Sequence, residues 1–229
     1  MTSIAIIDYG MGNLHSIAKA LEHVAGKPRV IVSSDHRQIL AAERVVFPGV
    51  GAMRDCMSEL ERTGLAEVVR QAVLSRPVLG VCLGMQALLD TSDENDGVAC
   101  LGTSPGKVVR FPKDATEPGT GARLKIPHMG WNQVYPRHDH AMWKDIPAAS
   151  RFYFVHSYYV VPENEDDVAA STPYGVEFAS VIARGNIFAV QFHPEKSQHA
   201  GLQLLSNFVG WNGESGNLLL IPAIDLKDG

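Results

Sequence analysis

The sequence predicts an α/β fold built as a doubly wound, mainly parallel sheet, and three observations carry that prediction. Short β-branched runs alternate with helical patterns through the first hundred residues, the signature of βαβ units. The apolar run at 77–81 is short and continuous, as expected of a strand buried on both faces. From Gly102 onward Gly, Pro and Asn turns separate strand-like runs, so antiparallel strands are expected in the second half.

In chain order, residues 3–8 read as a strand, 12–25 as an amphipathic helix, and 29–33 and 44–47 as strands. Helical periodicity returns at 53–74, followed by the strand at 77–81 and a helix beginning near Leu83. In the second half, 108–111, 131–135, 151–161, 175–184 and 187–191 read as strands, and 199–211 as the last helix. Residues 112–121, rich in Pro, Gly and charge, read as an exposed loop, as do 136–140. One domain is expected over 1–211. Residues 212–217 then read as a polar linker to an apolar run at 218–225, so 212–229 form a tail in which weak order is expected.

With 229 residues, 45% of them hydrophobic, the chain can bury a full core. A net charge of -5 and scattered Lys and Arg give no electrostatic footprint for nucleic acid. The N-terminus has no basic region and only a short apolar run, so no signal peptide or membrane span is read there and a cytoplasmic location is expected. The three cysteines, Cys56, Cys82 and Cys100, show neither CxxC nor zinc spacing, so no disulfide framework and no metal is expected. His138-Asp139-His140 lacks a third ligand nearby and reads as a solvated loop. Gly10-Met11-Gly12 has the start of a dinucleotide fingerprint, but His15 stands where the third glycine belongs.

Gly80-Val81-Cys82-Leu83-Gly84 places a cysteine in the Gly-x-nucleophile-x-Gly form of a strand-to-helix elbow. Side chains two positions either side would collide with the turn, and Gly80 and Gly84 supply the room. The elbow also sets the sulfur at a helix N-terminus, where the dipole favours thiolate. A thiolate nucleophile needs an imidazole to move protons, and the imidazole needs a group to hold its tautomer. His193-Pro194-Glu195 offers both, since residues two apart on a strand point the same way. Phe47-Pro48-Gly49-Val50-Gly51 follows a strand and can present backbone N–H donors to an oxyanion, with the Leu83 N–H as a second donor. Each motif alone also has a bland reading: a buried cysteine, a surface turn, an ordinary Pro-Gly turn.

Together, and in this order, the elbow, the Pro48 to Gly51 turn and the His193-Pro194-Glu195 ending resemble a class I (triad) glutamine amidotransferase, a flavodoxin-like fold. Asp8-Tyr9-Gly10-Met11-Gly12-Asn13-Leu14, Pro127-His128-Met129-Gly130-Trp131-Asn132, His156-Ser157-Tyr158-Tyr159 and Glu195-Lys196-Ser197-Gln198 are similar to the glutaminase subunits of imidazole glycerol-phosphate synthases. The resemblance spans residues 3–211. It implies Cys82 as nucleophile, His193 as general base and acid, Glu195 as the group orienting the imidazole, and Gly49, Val50, Gly51 and Leu83 as the oxyanion site. In such subunits the oxyanion strand can require a peptide flip induced by the partner's ligand. The resemblance further implies that Gly84, Gln86, Glu94, His156, Ser157 and Tyr158 hold glutamine, with Asp93 as the alternative to Glu94. It sets Tyr9, Gly10, Met11, Asn13, His128, Met129, Trp131, Asn132 and Lys196 near a partner, a (βα)8 cyclase subunit that makes imidazole glycerol phosphate and AICAR. No cofactor is implied.

The tail departs from that pattern. Residues 218–229 resemble the opening strand of a (βα)8 phosphoribosyl-formimino isomerase, and Asp225 falls where that family has an acid; without a barrel it is assigned no role. Two other readings stay open: another triad amidotransferase or stand-alone glutamyl hydrolase, and a non-catalytic scaffold on the same fold.

Overall fold

A computed structural model describes residues 2–24, 26–117 and 119–213. Its first half alternates as the β-branched runs require: β1 (Ser3–Ile7), α1 (Leu14–His23), β2 (Arg29–Ser33), α2 (His36–Ala41), β3 (Arg44–Gly49), α3 (Met53–Thr63), α4 (Leu65–Ser75), β4 (Val78–Cys82) and α5 (Leu83–Ala87). The second half holds β5 (Thr91–Ser92), β6 (Val98–Ala99), β7 (Gly106–Arg110), β8 (His128–Gln133), β9 (Tyr135–Pro136), β10 (Arg151–His156) and β11 (Tyr158–Pro162). It closes with β12 (Val168–Tyr174), β13 (Val176–Arg184), β14 (Ile187–Val190) and α6 (Gln198–Gly210).

The main sheet runs β2-β1-β3-β4-β14-β13-β11-β7-β5-β6. Neighbours from β2 to β14 are parallel, and the direction reverses at β13. β8 and β10 stand apart as an antiparallel pair. Because side chains alternate along a strand, β1 feeds two cores. Ala5 and Ile7 pack on one face with Ile39, Cys56, Leu60 and Val69 from α2 to α4, whereas Ile4 and Ile6 pack on the other with Ile17 and Leu21 of α1 and Leu204 and Phe208 of α6. Helices on both faces make the sheet doubly wound, and each fully buried aliphatic side chain contributes roughly 2 kcal/mol. The order β2-β1-β3 reverses winding beside β1, which opens a crevice at the carboxyl ends of the strands.

Four local expectations are corrected. The helix expected at 53–74 is two, because Gly64 at φ 71 ends α3 and opens α4. The single strand expected at 151–161 breaks at Ser157, so β10 pairs with β8 while β11 crosses into the main sheet against β7 and β13. α2 and β12 went unread. One is a six-residue helix whose signal is only the Asp35 cap, and the other lacks alternation and contains Pro173. His140 does not lie in a solvated loop: its Nδ1 accepts from the Met142 N–H at 3.1 Å and its ring packs on Phe188 and Trp211. Burial lowers its pKa to about 4. The linker and apolar run expected after Trp211 fall, from residue 214 on, outside the described residues.

Candidate active site

The parallel strands end together on one side of the crevice, and the site is assembled there. Cys82 closes β4 at φ 54, a left-handed conformation that a non-glycine residue adopts only when its surroundings impose it. The surroundings are tight. A Cβ on Gly84 would strike the carbonyl oxygen of Phe47, and one on Gly80 would lie 2.9 Å from the Ala189 Cβ. Both glycines of the motif are thus demanded by neighbouring strands as well as by the turn. In the sheet register Gly49 stands opposite Cys82, which puts the Pro48 to Gly51 turn beside the sulfur.

The helix after the elbow is only five residues long, so the dipole expected to favour thiolate is small, and other groups must supply that support. His193 is one. β14 stops at Val190, and Pro194–Lys196 form a 3-10 turn, so it is a turn rather than a strand face that brings His193 and Glu195 together. The imidazole Nδ1 lies 2.9 Å from the Glu195 Oε1, both side chains being 3% exposed. Its Nε2 is buried and, among the described residues, is left for the Cys82 sulfur. Burial pushes the His193 pKa down, but hydrogen bonding toward Cys82 and Glu195, with the charges of both, outweighs it and raises the value to about 9. The proton therefore belongs on the imidazole at neutral pH.

A cavity of about 330 Å³ opens over the sulfur. One wall is the Val50-Gly51 turn, another the chain crossing from β10 to β11 at Val155, His156, Ser157 and Tyr158, and the elbow with Leu83 and Gln86 lies beneath. Glu94 also lines it, with Oε2 accepting the Met53 N–H at 3.0 Å, whereas Asp93 is not among the lining residues. Gln86 spends both N–H groups inside the protein: Nε2 donates to the Tyr158 carbonyl at 3.0 Å and to the Gln191 Oε1 at 2.9 Å. Only its carbonyl remains for a ligand. A cavity with a thiol at its base and acceptor groups at its edge suits a small ligand carrying an ammonium group and an electrophilic carbonyl.

The residues expected at a partner surface divide. Gly10, Met129 and Trp131 are exposed, the last two by 62% and 37%, and Lys196 is exposed with its Nζ 6.0 Å from the Tyr153 ring centre. Met11, Asn13 and Asn132 are half-buried. Tyr9 and His128 are 2% and 3% exposed, so neither side chain faces outward. The Tyr9 hydroxyl instead donates to the Pro48 carbonyl at 3.0 Å, bracing the turn beside Cys82, and burial followed by the charge of Cys56 raises its pKa far above the ordinary value. His128 opens β8, its ring stacked between Phe154 and Tyr174.

Comparison with known proteins meets this geometry. The family model for "Glutamine amidotransferase class-I" matches residues 5–210. The chain belongs to the class I glutamine amidotransferases. Among relatives, proteins named imidazole glycerol phosphate synthase subunit HisH are 60% identical in Nitrosococcus oceani, over 94% of this chain and 100% of that one, and 59% identical in Methylococcus capsulatus, over 92% and 97%. Among solved structures, PurLQS from Thermotoga maritima superposes with a TM-score of 0.67 at 15% identity, over 91% of this chain and 98% of that one. A structure described as a glutamine amidotransferase superposes with a TM-score of 0.62 at 16% identity, over 90% and 99%. These two support the fold alone.

The candidate site also contains a residue that motif reading passed over. Gln191 is fully buried, and its Nε2 lies 3.7 Å from the Cys82 sulfur. The signal was a polar side chain at the end of an apolar strand, two residues before the histidine. No helix of the described residues is long and apolar enough to cross a membrane.

Proposed function

We propose that this amidotransferase is the glutaminase subunit of an imidazole glycerol phosphate synthase, hydrolysing glutamine through Cys82, His193 and Glu195 and passing ammonia to a (βα)8 cyclase subunit that forms imidazole glycerol phosphate and AICAR. The observation that carries the reading is the 2.9 Å contact from Glu195 to His193 in a cavity whose base is Cys82, in a chain 60% identical to a HisH subunit.

In this reading the glutamine ammonium meets the Glu94 carboxylate and the Gln86 carbonyl, which sets the δ-carbonyl over the sulfur. The thiolate attacks that carbon, and the oxygen takes up charge against the Leu83 N–H and the Gly49-Val50-Gly51 turn. Proton transfer from the His193 imidazolium to the amide nitrogen expels ammonia and leaves a glutamyl thioester. Water, deprotonated by His193, then attacks the thioester and frees glutamate. Glu195 holds the imidazole by Nδ1 throughout. These steps use only groups of the chain.

Ammonia released into neutral water becomes ammonium and loses nucleophilicity, so a docked acceptor is the economical arrangement. The exposed Met129 and Trp131 stand on β8, which follows the cavity-lining Pro127 in the chain, and are suited to such docking.

Glutamate release is to be measured for the chain alone and with a cyclase subunit and its nucleotide ligand, with Cys82→Ala as blank. Large stimulation, abolished by the substitution, is expected. Equal rates without partner would favour a stand-alone hydrolase, and no release in any mixture a scaffold.

A further inference from the structure

We propose that Gln191 is a catalytic residue whose side-chain N–H donates to the Cys82 sulfur, and that the main chain of Tyr158, acting through Gln86, fixes it in that orientation. The inference deepens the proposed glutaminase site and rests on Cys82 being its nucleophile.

An amide side chain shows its oxygen or its nitrogen to a neighbour according to the network around it. Here the network has one solution. The Tyr158 carbonyl can only accept, so the Gln86 atom 3.0 Å from it must be Nε2. The second N–H of that nitrogen points at the Gln191 side chain 2.9 Å away, and the atom receiving it must be Oε1. The atom of Gln191 turned to the sulfur, at 3.7 Å, is therefore Nε2, a donor. Turning Gln191 over would set two N–H groups against each other in a fully buried place, at the cost of an unsatisfied pair.

Other groups around the sulfur leave room for such a donor. The Val155 carbonyl is 4.0 Å away and can only accept. His193, with Glu195 behind it, approaches from the turn after β14; Glu94 and His156 line the cavity, and the Tyr9 hydroxyl is spent on the Pro48 carbonyl. With α5 too short for a strong dipole, Gln191 and His193 are, among the described residues, the side-chain donors turned to the sulfur, and a hydrogen bond to the charged form favours that form. Gln191 carries no charge of its own, so it supports the thiolate without competing for the His193 proton.

The test is the pH dependence of Cys82 alkylation by iodoacetamide in the full chain, read on the Cys82 peptide by mass spectrometry. Gln191→Met keeps the volume and removes the donor. Its alkylation at neutral pH is expected to slow about tenfold and to rejoin the parent rate at high pH, the effect of one charge-assisted hydrogen bond at the weak end of its range. Gln191→Glu, which turns an acceptor to the sulfur, is expected to be slower still. A Gln191→Met curve that overlays the parent would overturn the proposal. Where the Gln191 variants do not fold, Gln86→Met decides: it leaves Gln191 in place but free to turn, and is expected to slow alkylation about threefold, no change overturning the assignment. Alkylation needs no glutamine. A shifted curve in a chain that shows no glutaminase activity with the cyclase would support Gln191 and reject the proposed function, whereas normal activity with an unshifted curve would do the reverse.

Discussion

His128 Nδ1 lies 2.9 Å from His156 Nε2, a buried contact between two imidazoles that can hold only one proton. The His156 Nδ1 faces the Tyr158 carbonyl at 2.8 Å, so it carries the hydrogen of a neutral ring and its Nε2 accepts from His128. Burial accordingly lowers His128 to about 4 and His156 to about 3. The Tyr158 carbonyl thus receives both His156 and Gln86, joining His128 at the start of β8 to the wall of the cavity over Cys82.

This pair makes the fold acid-sensitive. Both groups titrate below the unfolded histidine value of about 6.5, so the unfolded chain binds more protons in acid and stability falls with pH. The loss begins as pH drops below about 6.5 and is complete only below the folded values of about 4 and 3. Thermal denaturation between pH 7 and 4 is expected to show a falling melting temperature. His128→Gln, which removes one titrating group, is expected to give a shallower slope than the parent; an unchanged slope would mean that the pair does not titrate as described.

His193 behaves in the opposite sense. Its folded value of about 9 lies above the unfolded one, so its contribution to stability is full below about 6.5 and is lost as pH rises through 9. In the proposed cycle the same proton serves ammonia departure, so kcat is expected to decline above about pH 9. Glu195→Gln removes a carboxylate that holds the imidazolium, and its alkaline limb is expected to move toward neutrality with kcat reduced by at least about 100-fold. A full kcat–pH profile of parent and variant reads both effects.

Much of this arrangement was legible in the residues. Gly80, Cys82 and Gly84 announce an elbow because so sharp a turn tolerates few alternatives, and β1 to β4 show themselves through short β-branched runs. What local reading misses depends on pairings distant in sequence. The break at Ser157 is invisible because 151–161 is one β-prone run, and only its partners, β8 for the first part and β7 and β13 for the second, divide it. Tyr9 and His128 sit in motifs beside exposed residues, so nothing local marks them as buried; the tie from Tyr9 to Pro48 spans 39 positions. Gln191 gains its meaning only from Gln86 and Cys82, each more than a hundred residues away.

The Tyr9 hydroxyl gives a measurable consequence of such a tie. Tyr9→Phe leaves the Pro48 carbonyl without its 3.0 Å donor and the Cys56 thiol without its 3.5 Å acceptor. Urea denaturation is expected to show a loss of about 1–2 kcal/mol. A variant as stable as the parent would show that the turn beside Cys82 holds itself.

Gly84→Ala tests the elbow packing. Its Cβ meets the Phe47 carbonyl, which belongs to the backbone of β3 and cannot swing aside, so a loss of about 3 kcal/mol or more is expected together with glutaminase activity. Gly210→Ala is the control. A Cβ there meets nothing within 4 Å, and stability is expected to stay within about 1 kcal/mol of the parent.

The covalent step itself is open to direct measurement. Glutamine is mixed with the chain, the cyclase subunit and its nucleotide ligand, the reaction is quenched in acid during turnover, and the peptides are weighed by mass spectrometry. One glutamyl group on the Cys82 peptide, absent from His193→Ala and Cys82→Ala preparations, is the predicted result. Glutamate release that persists in Cys82→Ala, or an adduct at Cys56 or Cys100 instead, would contradict a mechanism centred on Cys82.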